Sequence, residues 1–181
     1  DWSSDVCSSD FMRRLLLPLV LIATRVFAAD PAALVHDELP SLVSLYKELH
    51  ANPELSLHEE QTAARLAKEL RGAGLEVTEN FGGHGVVGIL KNGAGPVILV
   101  RTDLDALPVQ EKTGLPYAST RTTKDDLGRE VSVMHACGHD IHMTCLVGTA
   151  RVLAKTREKW RDRKSTRRNS SHLVISYAVF C

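Results

Sequence analysis

The nine residues from Met134 to His142 constrain this chain more than any other stretch. They bring together a thiol, three imidazoles and a carboxylate, with Gly138 between Cys137 and His139, where a residue without a Cβ lets the backbone turn sharply. A thiolate and an imidazole one residue apart can converge on one divalent ion, and the pair suits zinc, with manganese, cobalt or nickel as other occupants. The pattern predicts a metal site. A buried thiol among ordinary polar residues and a thiol nucleophile with a histidine base are the alternatives.

Apolar and small residues follow this motif at helical spacing. They predict a helix over about residues 139–155, with His139 and Asp140 at its entrance, where a carboxylate gains from the positive end of the helix dipole. Two earlier helices are predicted. The first covers residues 31–50 and bends at Pro40, and the second follows a capping-box spacing of Ser56 and Glu59.

Three strands are predicted after the second helix, over residues 75–78, 85–90 and 96–101. The third is apolar on both faces, which predicts a central, buried strand. Asp103 and Asp105 come directly after it, at the edge where open α/β sheets place their chemistry, although a turn with two solvated carboxylates is equally consistent. The polar stretch 113–130 predicts a solvated excursion with a short hairpin near Tyr117 and residues 131–134.

Length and charge fit one globular domain. The chain has 181 residues and a formal net charge of zero, so nothing in its overall balance favours nucleic acid as a partner, and the basic cluster at 161–169 lacks the aromatic residues that such a surface would carry. Its four cysteines do not form a disulfide framework.

The two ends differ in character from the middle of the chain. Residues 1–11 lack periodicity, and we interpret them as non-native. Residues 12–28 combine two arginines, a short apolar run and a terminal small residue, which is typical of a secretory signal peptide and predicts a periplasmic or secreted protein if the source is bacterial. The apolar run is too short for a comfortable membrane span. We also interpret the tail at 161–181 as non-native, which leaves 29–160 as the folded part.

Three stretches in register resemble the amidohydrolase branch of the aminoacylase/carboxypeptidase superfamily of metal-dependent hydrolases, the branch of hippurate hydrolase and the indole-acetyl-amino-acid hydrolases. They are His50–Ser56, Arg101–Pro108 with its continuation through Tyr117, and Met134–His142. The resemblance covers about residues 31–160. It implies the amino-terminal part of a three-layer α/β/α catalytic domain with a mixed sheet, truncated before the remainder of that domain and its lid and dimerisation domain.

The resemblance also implies a site. Cys137 and His139 would be metal ligands, and Asp105 would be the carboxylate that orients a ligating histidine. Asp103 stands where sister branches have a histidine ligand, so its role is open. His135 and His142 match motif positions without an assigned role, and we interpret them as supporting or structural residues.

The implied activity is hydrolysis of a linear amide by two divalent ions, zinc or manganese, acting on a small N-acyl amino acid. A dipeptidase or carboxypeptidase, an N-acetyl-diaminopimelate deacetylase of the same superfamily, and a non-enzymatic metal-binding protein are the alternatives. The glutamate base and further ligands of relatives have no match after Trp160, so we expect these 181 residues alone to be inactive. The complete protein could form the homodimer seen in relatives.

Overall fold

The computed structural model describes residues 30–93, 97–160 and 172–177. The expected signal peptide, the start that we interpret as non-native and most of the tail lie outside these residues, but residues 172–177 of the tail form a strand. The elements, in chain order, are helices and strands with the following bounds: α1 Pro31–Ala51, α2 Glu60–Gly72, β1 Glu76–Thr78, β2 Val87–Lys91, β3 Ile98–Thr102, β4 Thr122–Lys124, β5 Glu130–Ser132, α3 His139–Lys155 and β6 His172–Tyr177.

Four of the strands form one mixed sheet in the order β1, β2, β6, β3. The strand β6 pairs antiparallel with β2 and parallel with β3, so the end of the described chain lies between two strands that precede it by at least 70 residues. The remaining strands, β4 and β5, form a separate antiparallel hairpin. The mixed α/β class predicted from the sequence is confirmed, and so is the start of α3 at His139.

The helices pack on the sheet through the larger of two apolar clusters in the described residues. Helix α2 buries residues at a spacing of three and four, and it packs on β1 and β2, while α3 packs on β3 and on α1. The core cluster has 15 buried members, which include Leu45, Leu66, Leu90, Leu104 and Met143.

Helices α1 and α3 run antiparallel and approach closely at Gly148. An ideal Cβ on this residue would lie 2.9 Å from Leu42 Cδ1, so only glycine lets the two helices come this near. The first helix continues through Pro40 to Ala51 as one element. Among the described residues, none of the helices has the length and apolarity that crossing a membrane requires.

The prediction of a central, buried β3 is wrong. This strand is the last in the sheet order, and Ile98 and Leu99 are 60% and 58% exposed. A sequence that is apolar on both faces indicates what a strand can pack against, but it does not fix the strand's place in a sheet, which depends on its partners.

Two local predictions also need correction. Helix α2 begins at Glu60 with Glu59 as its N-cap, and the Glu59 side chain makes no capping hydrogen bond. Instead the Glu54 carboxylate accepts hydrogen bonds from the backbone amides of Gln61 and Thr62, at 3.2 and 2.7 Å. The first strand of the hairpin is Thr122–Lys124, not the region of Tyr117, because the turn that closes it forms around Asp125 and Gly128.

Candidate metal centre

Short backbone bridges bring the three stretches singled out in the sequence into one place. Leu55 pairs with Ala106 in a parallel bridge, and Leu107 pairs with Met134 in an antiparallel bridge. The Ala106 amide donates to the Glu54 carbonyl at 2.7 Å, and Leu107 and Met134 exchange two hydrogen bonds of 3.0 Å. Residues 105–107 therefore lie between the other two stretches, directly beyond the carboxyl end of β3.

His139 stands at the first position of α3 and is held from one side. Its Nδ1 lies 3.0 Å from Asp105 Oδ1 and 2.9 Å from the Asp105 carbonyl oxygen. An Nδ1–H that donates to these oxygens fixes the tautomer in which Nε2 keeps its lone pair. The contact leaves Nε2 as the ring nitrogen able to bind a metal.

Cys137 lies two residues before His139, and the turn between them requires glycine at position 138. Gly138 is the N-cap of α3 and has φ +75°, a left-handed conformation that residues with a Cβ rarely adopt. The Cys137 thiol is exposed, and neither it nor Cys145 forms a disulfide within the described residues. The alternative of a buried thiol is therefore wrong for Cys137, because the turn directs this residue to the surface of the site.

A buried network of three charged side chains, which the sequence did not reveal, adjoins His139 through the next residue, Asp140. His50 Nδ1 lies 2.6 Å from Asp140 Oδ2, and His50 Nε2 lies 3.0 Å from Glu111 Oε1. The three side chains are 6%, 3% and 0% exposed. Burial by itself would lower the pKa of His50, but the hydrogen bonds to Glu111 and Asp140 outweigh it and hold that pKa above its ordinary value.

Glu111 is the anchor of this network on the long loop before β4. Its carboxylate also accepts a hydrogen bond from the Ser119 amide, at 2.5 Å, and one from the Thr113 hydroxyl. Burial opposes the charge of Glu111, yet these donors and His50 keep the pKa of the carboxyl below its usual range. Glu111 lies just before residues 113–130, whose charges were predicted to be solvated, and it is buried.

His135 is buried beside the turn that carries Cys137 and Gly138. It is 4% exposed, and among the described residues no well-aligned hydrogen bond reaches either ring nitrogen, although the Asp105 backbone lies near enough to favour the protonated ring. Burial lowers the pKa of His135; the nearby Asp140 opposes this, whereas His139 and His50 reinforce it. An unsatisfied buried polar group costs about 1–3 kcal/mol, so the buried His135 ring fits a site to which further groups are added.

Glu59 is a second buried polar residue near the same corner. It is 1% exposed, and burial raises the pKa of its carboxyl, with the charge of Asp105 adding to the effect. Its Oε1 atom has no hydrogen-bond partner in the described part of the chain.

The other two sequence candidates lie at the margin. Asp103 pairs with Arg101, and its side chain is 30% exposed. His142 is exposed, one turn along α3, with its ring centre 6.1 Å from that of His139. Neither Asp103 nor His142 forms a hydrogen bond with Asp105 or His139 among the contacts of the described residues.

The donor chemistry of Cys137 and His139 fits part of a metal centre. Within residues 30–93, 97–160 and 172–177, no three His, Cys, Asp or Glu side chains come together as a group that could hold a metal ion. The thiol and the carboxylate-oriented imidazole are two donors of the kind that zinc prefers, so they account for a portion of a ligand set.

Sequence reasoning missed the roles of His50 and Glu111. Both belong to the stretches that carry the family resemblance, so the motifs contained the signal. Their separation of 61 residues hides their contact, because no local spacing connects them.

Comparison with known proteins agrees with the geometry. Residues 99–168 match the sequence profile of Peptidase family M20/M25/M40. A Synechocystis protein named "Probable hydrolase" is 50% identical over 119 residues, which are 65% of this chain and 28% of that protein. Hippurate hydrolase of Campylobacter jejuni is 46% identical over 108 residues, 59% of this chain and 26% of its own length. The chain thus spans little more than a quarter of these relatives.

A solved structure gives the same result for the fold. A Bacillus subtilis protein described as a dinuclear metal-binding peptidase from the M20 family superposes with a TM-score of 0.63 at 30% identity, over 81% of this chain and 35% of that one. The resemblance drawn from the three sequence stretches is confirmed. Residues 99–168 match the model of Peptidase family M20/M25/M40, and the relatives described above are named as hydrolases or, for the solved structure, as a peptidase.

Proposed function

We propose that this chain supplies the Cys137–His139 corner of a dinuclear metal centre in an amidohydrolase that cleaves small N-acyl amino acids. The observation that carries the proposal is the contact of 3.0 Å between Asp105 Oδ1 and His139 Nδ1, next to an exposed thiol on a left-handed glycine turn. When bound, a divalent zinc or manganese pair supplies Lewis acidity for the amide carbonyl and activates water.

The residues of this chain have separate tasks in that centre. Cys137, as the thiolate, and His139, through Nε2, hold the metal. Asp105 fixes the His139 tautomer and the orientation of the ring. Because the thiol must lose its proton, metal affinity is expected to fall as the pH is lowered. The remaining ligands and the general base belong to parts of the complete protein beyond the described residues.

The substrate class follows from the relatives and is part of the proposal. Hippurate is an N-acyl amino acid, and the protein named for its hydrolysis shares 46% of the aligned residues. We infer a substrate with a compact acyl group on an amino acid, cleaved to a carboxylic acid and a free amino acid. Deacetylation and peptide hydrolysis are the same chemistry on other acyl groups.

The test is amino acid release from hippurate and N-acetyl amino acids by the complete gene product. Turnover is expected to disappear after chelation and to return with zinc or manganese. Cys137→Ala and His139→Ala should lose bound metal and turnover, whereas Cys145→Ala, which removes another exposed free thiol, should keep both. Outer partners of metal ligands are typically worth about 10–100-fold in affinity or activity, so Asp105→Ala should fall in that range.

Three results would contradict the proposal. Turnover that survives chelation but is abolished by alkylation would identify a thiol nucleophile at Cys137 instead. Stoichiometric metal without hydrolysis of any N-acyl amino acid would leave a metal-binding protein. Metal affinity unchanged in both Cys137→Ala and His139→Ala would place the centre elsewhere.

We propose in addition that the protein is exported, on the basis of the signal-like residues 12–28. In a bacterial host, a tagged chain should be processed near Ala28 and released with the periplasmic fraction. Retention of an unprocessed chain in spheroplasts would overturn the proposal.

A further inference from the structure

The buried His50 connects three parts of the chain that are distant in sequence. It lies in the last turn of α1, Asp140 lies in the first turn of α3, and Glu111 lies on the loop between β3 and β4. All three side chains are at most 6% exposed. An imidazole that donates from both ring nitrogens to carboxylates is an imidazolium, so the network holds its charges in fixed directions.

The contact with Asp140 matters because α3 begins without an ordinary cap. Gly138, the N-cap residue, has no side chain to accept a hydrogen bond from the first amides of the helix. The Asp140 carboxylate accepts from the Ile141 amide through Oδ1 at 2.8 Å, while its Oδ2 accepts from His50 Nδ1. His50 therefore fixes the carboxylate that stabilises the first turn of α3, directly beside His139.

Two aromatic rings hold the imidazole in place. The ring centres of Tyr46 and Tyr117 lie 5.6 and 5.4 Å from that of His50, and the contact with Tyr117 is edge-on. Glu111 is held in turn by Ser119 and Thr113. These contacts fix the imidazole on its Glu111 side. The hydrogen bond from Nδ1 to Asp140 is the contact that links the ring to α3.

We propose that His50 is a positioning residue of the metal centre, which acts through its Nδ1 bond to Asp140 to fix the start of α3 and with it His139. The inference rests on the proposed function for the metal. The positioning of α3 itself is measurable without a metal. A role in packing alone would be indifferent to which ring nitrogen keeps its partner.

Two substitutions separate these roles. The side-chain amide of Asn places a donor near the position of Nδ1, and that of Gln places a donor near the position of Nε2. His50→Asn therefore keeps the link to Asp140 and loses the link to Glu111, and His50→Gln does the reverse. Both remove the charge and the aromatic ring. The control is His58→Asn, which removes the Nε2 contact with Asp126 at the same 3.0 Å distance as the His50–Glu111 bond, but with side chains 54% and 80% exposed.

The first readout is amide hydrogen exchange at residues 139–142 in the full chain without metal. His50→Gln should exchange at least about tenfold faster than His50→Asn there, and His58→Asn should match the unsubstituted chain. Equal acceleration in the two His50 variants, or none in either, would overturn the inference.

The second readout is cobalt(II) titration, followed by the thiolate-to-cobalt absorption of Cys137. His50→Gln should weaken cobalt binding about tenfold relative to His50→Asn, since losing an outer partner of a ligand has that scale of effect. If the unsubstituted complete protein shows no thiolate-to-cobalt band, the proposed function fails, and the exchange comparison still decides whether His50 positions α3. If cobalt binds equally to both variants, the inference fails and the proposed function stands.

Discussion

Ion pairs connect both ends of α3 to α1, and we call each of these two connections a tie. The two ties lie in different surroundings. At the amino-terminal end, His50 and Asp140 meet with side chains 6% and 3% exposed. At the carboxyl-terminal end, Arg151 donates to Glu38 and Glu69, with side chains 13–19% exposed, and Lys155 pairs with Glu38. The first tie lies beside the candidate metal centre, and the second lies at the helix end remote from it.

The difference shows how burial changes what an ion pair does. A partly exposed pair contributes little net stability, since water solvates each partner almost as well as the other partner does. A fully buried pair is costly to assemble, yet removal of one partner is far more costly because the other charge remains in the interior. A buried pair therefore holds a geometry more strictly than it stabilises the fold. This suits the end of α3 that carries His139.

The largest expected effect comes from breaking the buried tie. Asp140→Ala leaves His50 without one of its two carboxylates and should lower the free energy of unfolding by about 3–5 kcal/mol. Urea denaturation of the full chain measures it. Asp126→Ala, which breaks the exposed pair with His58, should change that free energy by less than about 0.5 kcal/mol. Similar losses in the two variants would remove the basis of the comparison.

The second prediction concerns the close packing of α1 against α3 at Gly148, which lies between the two ties. Gly148→Ala places a Cβ 2.9 Å from Leu42 Cδ1, and the overpacking should cost about 1–3 kcal/mol. Gly72→Ala, near the end of α2, meets no atom within 4 Å and should be neutral or stabilising by up to about 1 kcal/mol. The thermal midpoints of the two variants give the contrast. A stable Gly148→Ala protein would show that the two helices can separate without loss.

A smaller loss of stability is expected at the carboxyl-terminal end of α3. Arg151→Met keeps the apolar stem of the side chain but removes its hydrogen bonds to Glu38 and Ser41 at 2.7 Å and its pair with Glu69. We expect a loss of about 1–2 kcal/mol, between the values for exposed and buried pairs. Addition of 1 M salt should narrow the difference from the unsubstituted chain, whereas salt should leave the Asp140→Ala effect nearly unchanged.

The two ties should respond to pH in opposite directions. The hydrogen bond from Lys155 is the largest cause that lowers the pKa of Glu38 below 4.5, and for Glu69 the arginine contacts overcome the effect of burial to lower its pKa as well. Their contribution is present above the unfolded pKa and is lost as the pH falls through the lowered, folded one. The pKa of His50 is raised, so its contribution is complete below the unfolded value of about 6.5 and is lost as the pH rises through the folded value.

Denaturation across a pH series measures this contrast. Arg151→Met should flatten the acid limb of the stability profile and leave the alkaline limb intact, and His50→Gln should flatten the alkaline limb. Acid protonation of Glu111 also weakens the His50 network, because the pKa of Glu111 is lowered by the same contact among others. An alkaline limb that is identical in His50→Gln and the unsubstituted chain would contradict the assignment.

The sequence by itself determined the local parts of this protein. The period of apolar residues specified three helices, and the left-handed turn at Gly138 follows from a glycine between a thiol and an imidazole. The motif in residues 134–142 and its two companion stretches were enough to predict the resemblance to this family, because each is contiguous and its chemistry is carried by side chains close together in the chain.

Only the tertiary structure decided which distant groups meet. The place of β3 at the sheet edge depends on β6, the cap of α2 comes from Glu54 rather than from the helix's own first turn, and His50 finds its carboxylates 61 and 90 residues away. Such contacts follow from the packing of whole elements, which is set by the sum of many weak apolar contacts across the core. The sequence around a residue indicates what chemistry that residue can perform, whereas the tertiary fold decides which distant residue it contacts.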